Sequence, residues 1–232
     1  MKRILVVEDE DVIRDFVVIN LKRSGYDVTD VSNGEDALRV FDENDGNFDV
    51  ALLDIMMPGI DGFTVCKEIR KRSNTIGIIM LSAKTQEMDK VNGLMLGADD
   101  YVTKPFTPLE LMARVNSQLR RYTQFANRSP KEEKNDRIHV IGGLELNEDA
   151  VTVTVDGEPV KVTPTEYKIL ALLIRTPGRV YSADEIYERV WNEKAINTDT
   201  IMVHVRNIRD KIEINPRDPK YLKVVWGVGY KI

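Results

Sequence analysis

The chain has 232 residues, 31% of them charged and 42% hydrophobic, with a formal net charge of −5. That is an ordinary globular balance, and the length predicts two domains of about 110 to 120 residues. No run approaches the roughly 20 apolar residues of a membrane span, Met1-Lys2-Arg3 leads into a strand-like segment rather than a secretion signal, and the single Cys66 excludes an intrachain disulfide. A cytoplasmic protein with no membrane partner and with Cys66 in its core is expected. Through residue 127 there are 16 basic against 21 acidic residues, whereas the remainder has 17 of each, so the net charge lies in the first half. An acidic half argues against nucleic acid there; a neutral half permits it where basic residues cluster on one face.

In the first half, short apolar runs alternate with amphipathic stretches. This pattern predicts a doubly wound α/β fold, a five-stranded parallel sheet with helices on both faces. The strands are expected near residues 3–7, 27–31, 49–53, 77–82 and 100–102, and the helices near 10–23, 34–43, 61–72, 85–95 and 107–121. Thr107-Pro108-Leu109-Glu110 opens the last helix with a capping box and Pro at the first helical position. Residues 122–137, with Ser129-Pro130 and mixed charges, have no apolar period and read as a linker, which leaves domains at 1–121 and 138–232.

Beyond the linker the period changes. Residues 138–162 alternate as short antiparallel strands, with Asp156-Gly157 as a hairpin turn. Thr163-Pro164-Thr165-Glu166 and Ser182-Ala183-Asp184-Glu185 are further helix starts, a third helix runs from Thr198 to Ile214, and the chain ends in a glycine-containing hairpin over 223–232. Strands, three helices and a terminal hairpin predict a winged helix-turn-helix domain.

Three strand ends carry acids or an ammonium: Glu8-Asp9 after the first, Asp54 after the third, Lys104-Pro105 after the fifth. In a doubly wound sheet of order 2-1-3-4-5, the first and third strands are neighbours where strand order reverses, which is where ligands bind. Hard oxygen ligands suit Mg²⁺, and Glu8, Asp9, Asp54 and the backbone carbonyl of Met56 form the candidate metal set. Asp54 is the candidate phosphoryl-accepting nucleophile, with Lys104 and the hydroxyl of Ser82 to bind phosphoryl oxygens. Any one of these acids taken alone reads more simply as a helix cap or a solvated turn. Their joint occurrence with a Met-Pro-Gly loop, a hydroxyl and Lys-Pro at successive strand ends has no comparable structural explanation.

These motifs resemble the receiver domain of two-component response regulators over residues 2–121, and residues 138–232 resemble the winged-helix domain of the OmpR/PhoB subfamily. The resemblance to a flavodoxin-like receiver implies Asp54 as phosphoacceptor, Glu8 and Asp9 as Mg²⁺ acids, Ser82 and Tyr101 as a switch pair, Lys104 as phosphate-binding lysine, and a cis peptide before Pro105. It implies a sensor histidine kinase, double-stranded promoter DNA and RNA polymerase as partners, and a homodimer on phosphorylation. The dimer would be bridged by Lys90 to Glu110, Asp100 to Arg114 and Asp99 to Arg121. The ending Val225-Trp226-Gly227-Val228-Gly229-Tyr230-Lys231-Ile232 is similar to the vancomycin-resistance-type regulators.

On the helix from Thr198, Ile201, Val205 and Ile208 recur at three- and four-residue spacing and are expected to face the core. Thr200, His204, Asn207 and Lys211 are then expected on the opposite face, with Arg206 and Arg209 near its edges, to read base edges and hold phosphates. The resemblance places the hairpin, with Trp226 and Gly227, at the minor groove. Trp226 stands where many members have arginine, and Asn207 replaces a basic residue of some members. Two other functions compete. A phosphohydrolase with an aspartyl nucleophile needs a second Asp two residues on, where Met56 stands, so an enzyme is not expected; the other is a DNA-binding scaffold independent of phosphate.

Overall fold

The computed structural model describes residues 1–83, 96–126, 137–192 and 198–232, with the side chains of 120–126 outside the description. The chain forms two compact units, Met1–Arg120 and Arg121–Ile232.

The first unit holds strands β1 (Arg3–Val7), β2 (Asp27–Val31), β3 (Val50–Asp54), β4 (Gly77–Ala83) and β5 (Asp100–Lys104), all parallel in the order β2-β1-β3-β4-β5. Helices α1 (Asp11–Arg23), α2 (Gly34–Glu43), α3 (Gly62–Arg72) and α4 (Pro108–Ala126) accompany them. The expected helix at 85–95 lies outside the described residues. Ile4, Val6, Val50, Leu52, Ile79 and Leu81 pack with Val17 and Leu21 of α1 and with Leu111 and Val115 of α4. The alternate residues Leu5, Val7, Ala51 and Leu53 are equally buried, so β1 and β3 are covered on both faces. That burial explains why these strands read as continuous apolar runs. Cys66 is in the core, where burial pushes its thiol up to about 12. Helix α4 continues five residues into the stretch expected as linker; residues 127–136 of that stretch are not described.

In the second unit, β6 (Ile138–Ile141), β7 (Leu144–Asn147), β8 (Thr152–Val155) and β9 (Glu158–Pro159) form an antiparallel sheet. Asp156 and Gly157, at φ 50° and 86°, make the tight turn expected between β8 and β9. β9 pairs with β8 through Glu158 and Pro159, and just beyond it the Val160 N–H donates to the Val153 carbonyl at 2.9 Å. Then come α5 (Pro164–Ile174), α6 (Ala183–Trp191), α7 (Asp199–Ile212) and the hairpin β10 (Lys223–Val225) to β11 (Gly229–Lys231).

The Thr163 box is complete: Glu166 N–H donates to Thr163 Oγ1, and Thr163 N–H donates to Glu166 Oε2 at 2.7 Å. Lys211 Nζ, 2.6 Å from the same oxygen, ties α7 to this cap. α7 ends two residues earlier than expected because Glu213 turns extended (φ −105°, ψ 140°). Its carboxylate then accepts the backbone N–H groups of Lys220, Tyr221 and Leu222 at 2.7–2.9 Å, fixing the approach to β10. Gly229 meets α6's approach so closely that a Cβ would lie 1.9 Å from the Tyr181 carbonyl oxygen.

Candidate functional site

In the first unit the parallel register carries the chemistry to one edge. β1 ends beside β3, and β3 and β5 flank β4, so residues 8–9, 54, 82 and 104 emerge together at the carboxyl ends. Glu8, Asp9 and Asp54 each offer a carboxylate oxygen, and these oxygens lie within 4.8 Å of one another. Lys104 Nζ sits 2.8 Å from Glu8 and 3.1 Å from Asp54, after which the Lys104–Pro105 peptide is cis. Glu8 and Asp54 are buried and Asp9 is half-buried.

Crowding of like charges away from water sets the electrostatics. Burial, with Asp54 opposing the hydrogen bond from Lys104, pushes the Glu8 carboxyl up to about 7. Burial also raises Asp54, against the attraction of Lys104 and with Asp9 adding to the rise. For Lys104, burial disfavours the ammonium, but its hydrogen bond to Glu8 and the charge of Asp54 outweigh it and the pKa is raised. Three hard oxygen donors whose anionic forms lack sufficient counter-charge fit a divalent cation, and Mg²⁺ suits the donor set. Met56 has an exposed side chain, and its backbone N–H bonds the Asp54 carboxylate.

Two glycines that sequence reasoning missed build this pocket. A Cβ on Gly62 would lie 2.0 Å from the Asp54 carbonyl oxygen, so α3 can start directly behind the candidate nucleophile only with glycine there. A Cβ on Gly34 would lie 2.3 Å from the Ile60 carbonyl oxygen, which holds α2 against the same loop. Their signal in the sequence was a glycine at the first position of each helix, where side chains are normally free. Ser82 is buried, and its hydroxyl donates to the Ala83 carbonyl at 2.9 Å; Tyr101 is buried in β5.

The residues expected to bridge two copies divide. Lys90 and the side chain of Arg121 lie outside the described residues. Glu110 is half-buried at the start of α4, its N–H donating to Thr107 Oγ1 at 3.2 Å. Asp99 and Asp100, however, are buried and engaged within their own chain, which corrects their expected intermolecular roles. Asp99 accepts from Ile78 N–H at 2.9 Å and pairs with Arg70, whose guanidinium also binds the carbonyls of Gly97 and Ile76. Asp100 lies 3.3 Å from Arg114, itself buried. Exposed pairs are replaceable, whereas these have been desolvated to hold the starts of β4 and β5.

In the second unit the polar face of α7 also needs correction. Thr200 and His204 are buried, His204 with its ring 5.8 Å from that of Trp191, and Trp191 stacks on Tyr187 at 4.8 Å. Asn207 is half-buried and Lys211 is spent on Glu166. The exposed residues of α7 are Asp199, Met202, Arg206, Asp210 and Lys211, with Arg209 half-buried beside them. Arg209 Nε donates to the Leu222 carbonyl at 2.9 Å. Across from these residues the hairpin tip turns through Gly227 at φ 73° and presents an exposed Trp226.

Comparison with known proteins agrees with both units. Residues 4–116 match the response regulator receiver domain, and residues 157–232 match the C-terminal domain of transcriptional regulatory proteins. The chain is 42% identical over 232 residues to the regulatory protein VanR of Enterococcus faecium, covering 99% of this chain and 98% of that one. It is 43% identical over 235 residues to the alkaline phosphatase synthesis transcriptional regulatory protein PhoP of Bacillus subtilis, covering 100% and 96%. Among solved structures, DrrB of Thermotoga maritima, an OmpR/PhoB homologue, is 30% identical with a TM-score of 0.50 over 100% of this chain and 99% of that one. A RitR mutant at 24% identity and a TM-score of 0.77, covering 100% and 99%, shares the fold.

Proposed function

The chain belongs to the OmpR/PhoB family of two-component response regulators and is a phosphorylation-dependent, DNA-binding transcriptional regulator; from that premise we propose the residues that carry each step. Residues 1–121 serve as receiver, 122–137 as linker and 138–232 as output domain. The observation that carries the reading is the convergence of three carboxylates and the Lys104 ammonium at one sheet edge.

A carboxylate oxygen of Asp54 attacks the phosphorus of a kinase phosphohistidine; a P–O bond forms, the P–N bond breaks, and the electron pair leaves with the imidazole. Glu8, Asp9, Asp54 and the Met56 carbonyl would hold Mg²⁺, which when bound would supply counter-charge for the transferring group. Lys104 moves from pairing with the two acids to holding a phosphoryl oxygen. Ser82, now bonded to the Ala83 carbonyl, turns its hydroxyl to another oxygen. The space it leaves is next to β5, whose Tyr101 transmits the change to the surface of β5 and α4. Two receivers pair there, with Glu110, Lys90 and Arg121 as the remaining bridging candidates.

Pairing joins two output domains on tandem half-sites and raises affinity through effective concentration. α7 enters the major groove through Arg206 and Arg209, the hairpin meets the minor groove, and the complex acts on RNA polymerase in the cytoplasm. Turnover of phosphate esters is not supported, because a thioether at Met56 cannot shuttle the proton such a hydrolase needs.

The test compares DNA affinity of the chain before and after treatment with Mg²⁺ and a small phosphodonor. Wild type gains affinity and Asp54→Ala does not. Equal affinity in all four samples would favour the phosphate-independent scaffold.

A further inference from the structure

Glu8 and Asp9 are consecutive, yet both bring a carboxylate oxygen to Asp54. Successive side chains of an extended chain point to opposite sides, so the backbone has to turn within these two residues as it leaves β1. The usual device for holding such a turn is missing. α2 and α3 start on Asn33 and Asp61, whose side chains accept the N–H groups of Asp36 and Thr64, whereas the N-cap of α1, Glu10, makes no side-chain cap hydrogen bond.

Arg14 reaches back across this junction instead. From the fourth residue of α1 its Nη1 donates to the Glu8 carbonyl at 2.8 Å. The Glu8 N–H donates to the Val31 carbonyl of β2 at 3.2 Å, so the peptide groups on both sides of Glu8 are pinned. The guanidinium is held in turn by two acids: Nη2 pairs with Asp11, and Nε lies 3.7 Å from Asp30 near the end of β2. Arg14 thereby ties the end of β1, the start of α1 and β2 together at the point where two of the three clustered carboxylates emerge.

We propose that Arg14 is a positioning residue for the divalent cation: it fixes the Glu8–Asp9 peptide so that both carboxylates stay gathered on Asp54. This rests on the reading of these three acids as the Mg²⁺ site. By charge alone, a guanidinium beside a cation site weakens the binding of a second cation, and its removal would tighten it. Positioning acts in the opposite direction, because partners that orient metal ligands raise affinity. The sign of the effect therefore separates the two.

The test measures Mg²⁺ and Ca²⁺ affinities of the full-length chain by titration calorimetry, with no phosphodonor present. Arg14→Met keeps the apolar stem and removes the guanidinium; the acids it leaves, Asp11 at 82% and Asp30 at 38% exposure, remain solvated, so the metal-free urea midpoint should stay close to that of wild type. Its Mg²⁺ affinity should fall about tenfold. Ca²⁺ accepts looser ligand geometry and should lose less than about threefold, so selectivity for Mg²⁺ falls as well. Arg14→Lys keeps the charge and one donor for the Glu8 carbonyl, and should recover most of both. An Arg14→Met chain that binds Mg²⁺ as tightly as wild type or more tightly, or that loses both cations by the same factor, would overturn the proposal. So would a folded Arg14→Lys chain about tenfold weaker for Mg²⁺ than wild type. Wild type that binds neither cation would instead remove the metal site on which the proposal rests.

Discussion

Protonation of Glu8 should compete directly with magnesium. The Glu8 carboxyl is raised from 4.5 to about 7 because it is buried beside Asp54, and a cation can use it only as the anion. With a pKa near 7, a single displaced proton weakens apparent Mg²⁺ affinity by about tenfold between pH 8 and pH 6. The sign for the metal-free protein follows from the same shift. A carboxyl whose folded pKa lies above its unfolded value contributes stability below the unfolded pKa, and that contribution is lost as pH rises through the folded one. Metal-free protein should therefore lose stability between about pH 4.5 and 7, and Mg²⁺ should restore it most at the upper end. Titration calorimetry in buffers of different ionisation enthalpy counts the released proton, with about half a proton per ion expected at pH 7. Glu8→Gln should flatten the dependence. A wild-type affinity constant from pH 6 to 8, with no proton released, would refute the electrostatic description of the site.

Gly62→Ala should damage the pocket without touching its polar groups, since the new methyl would lie 2.0 Å from the Asp54 carbonyl; about 1–3 kcal/mol of stability is expected to be lost in urea unfolding, with slower phosphorylation. Arg70→Ala removes the counter-charge paired with the buried Asp99 and should destabilise the chain by about 3 kcal/mol in the same assay, whereas an intermolecular role for Asp99 predicts loss of dimer with stability intact. His204→Ala removes a ring packed on Trp191 and should lower the denaturant midpoint while leaving the salt slope of DNA binding unchanged. Arg206→Ala should do the reverse, reducing the slope by about one.

The receiver half was read from sequence because its function and its fold share one signal. A strand buried on both faces is a continuous apolar run, so the first polar residue after it, as at Glu8 and Asp54, marks the carboxyl edge where ligands bind. Asp99 and Asp100 carry no such mark. Whether a carboxylate at the start of a strand faces solvent or a buried arginine depends on Arg70 and Arg114, which are far away in sequence. Helix α7 misled for a related reason. Ile201, Val205 and Ile208 define a narrow stripe, but Val203, about 160° round the helix from Ile201, is also buried and swings the core arc over Thr200 and His204. An apolar residue on the supposed polar face was the available signal. Gly34 and Gly62 left only a faint signal, a glycine at the first position of a helix, because a close backbone approach creates no periodic pattern.

Every step of activation requires that Asp54 carry the phosphoryl group. Borohydride reduces an acyl phosphate to an alcohol, so treating the phosphodonor-labelled, Mg²⁺-loaded chain and mapping its peptides by mass spectrometry locates the group. Homoserine at position 54 is predicted; reduction at Glu8 or Asp9 instead, or no reduced residue in a chain that has taken up phosphate, would contradict it.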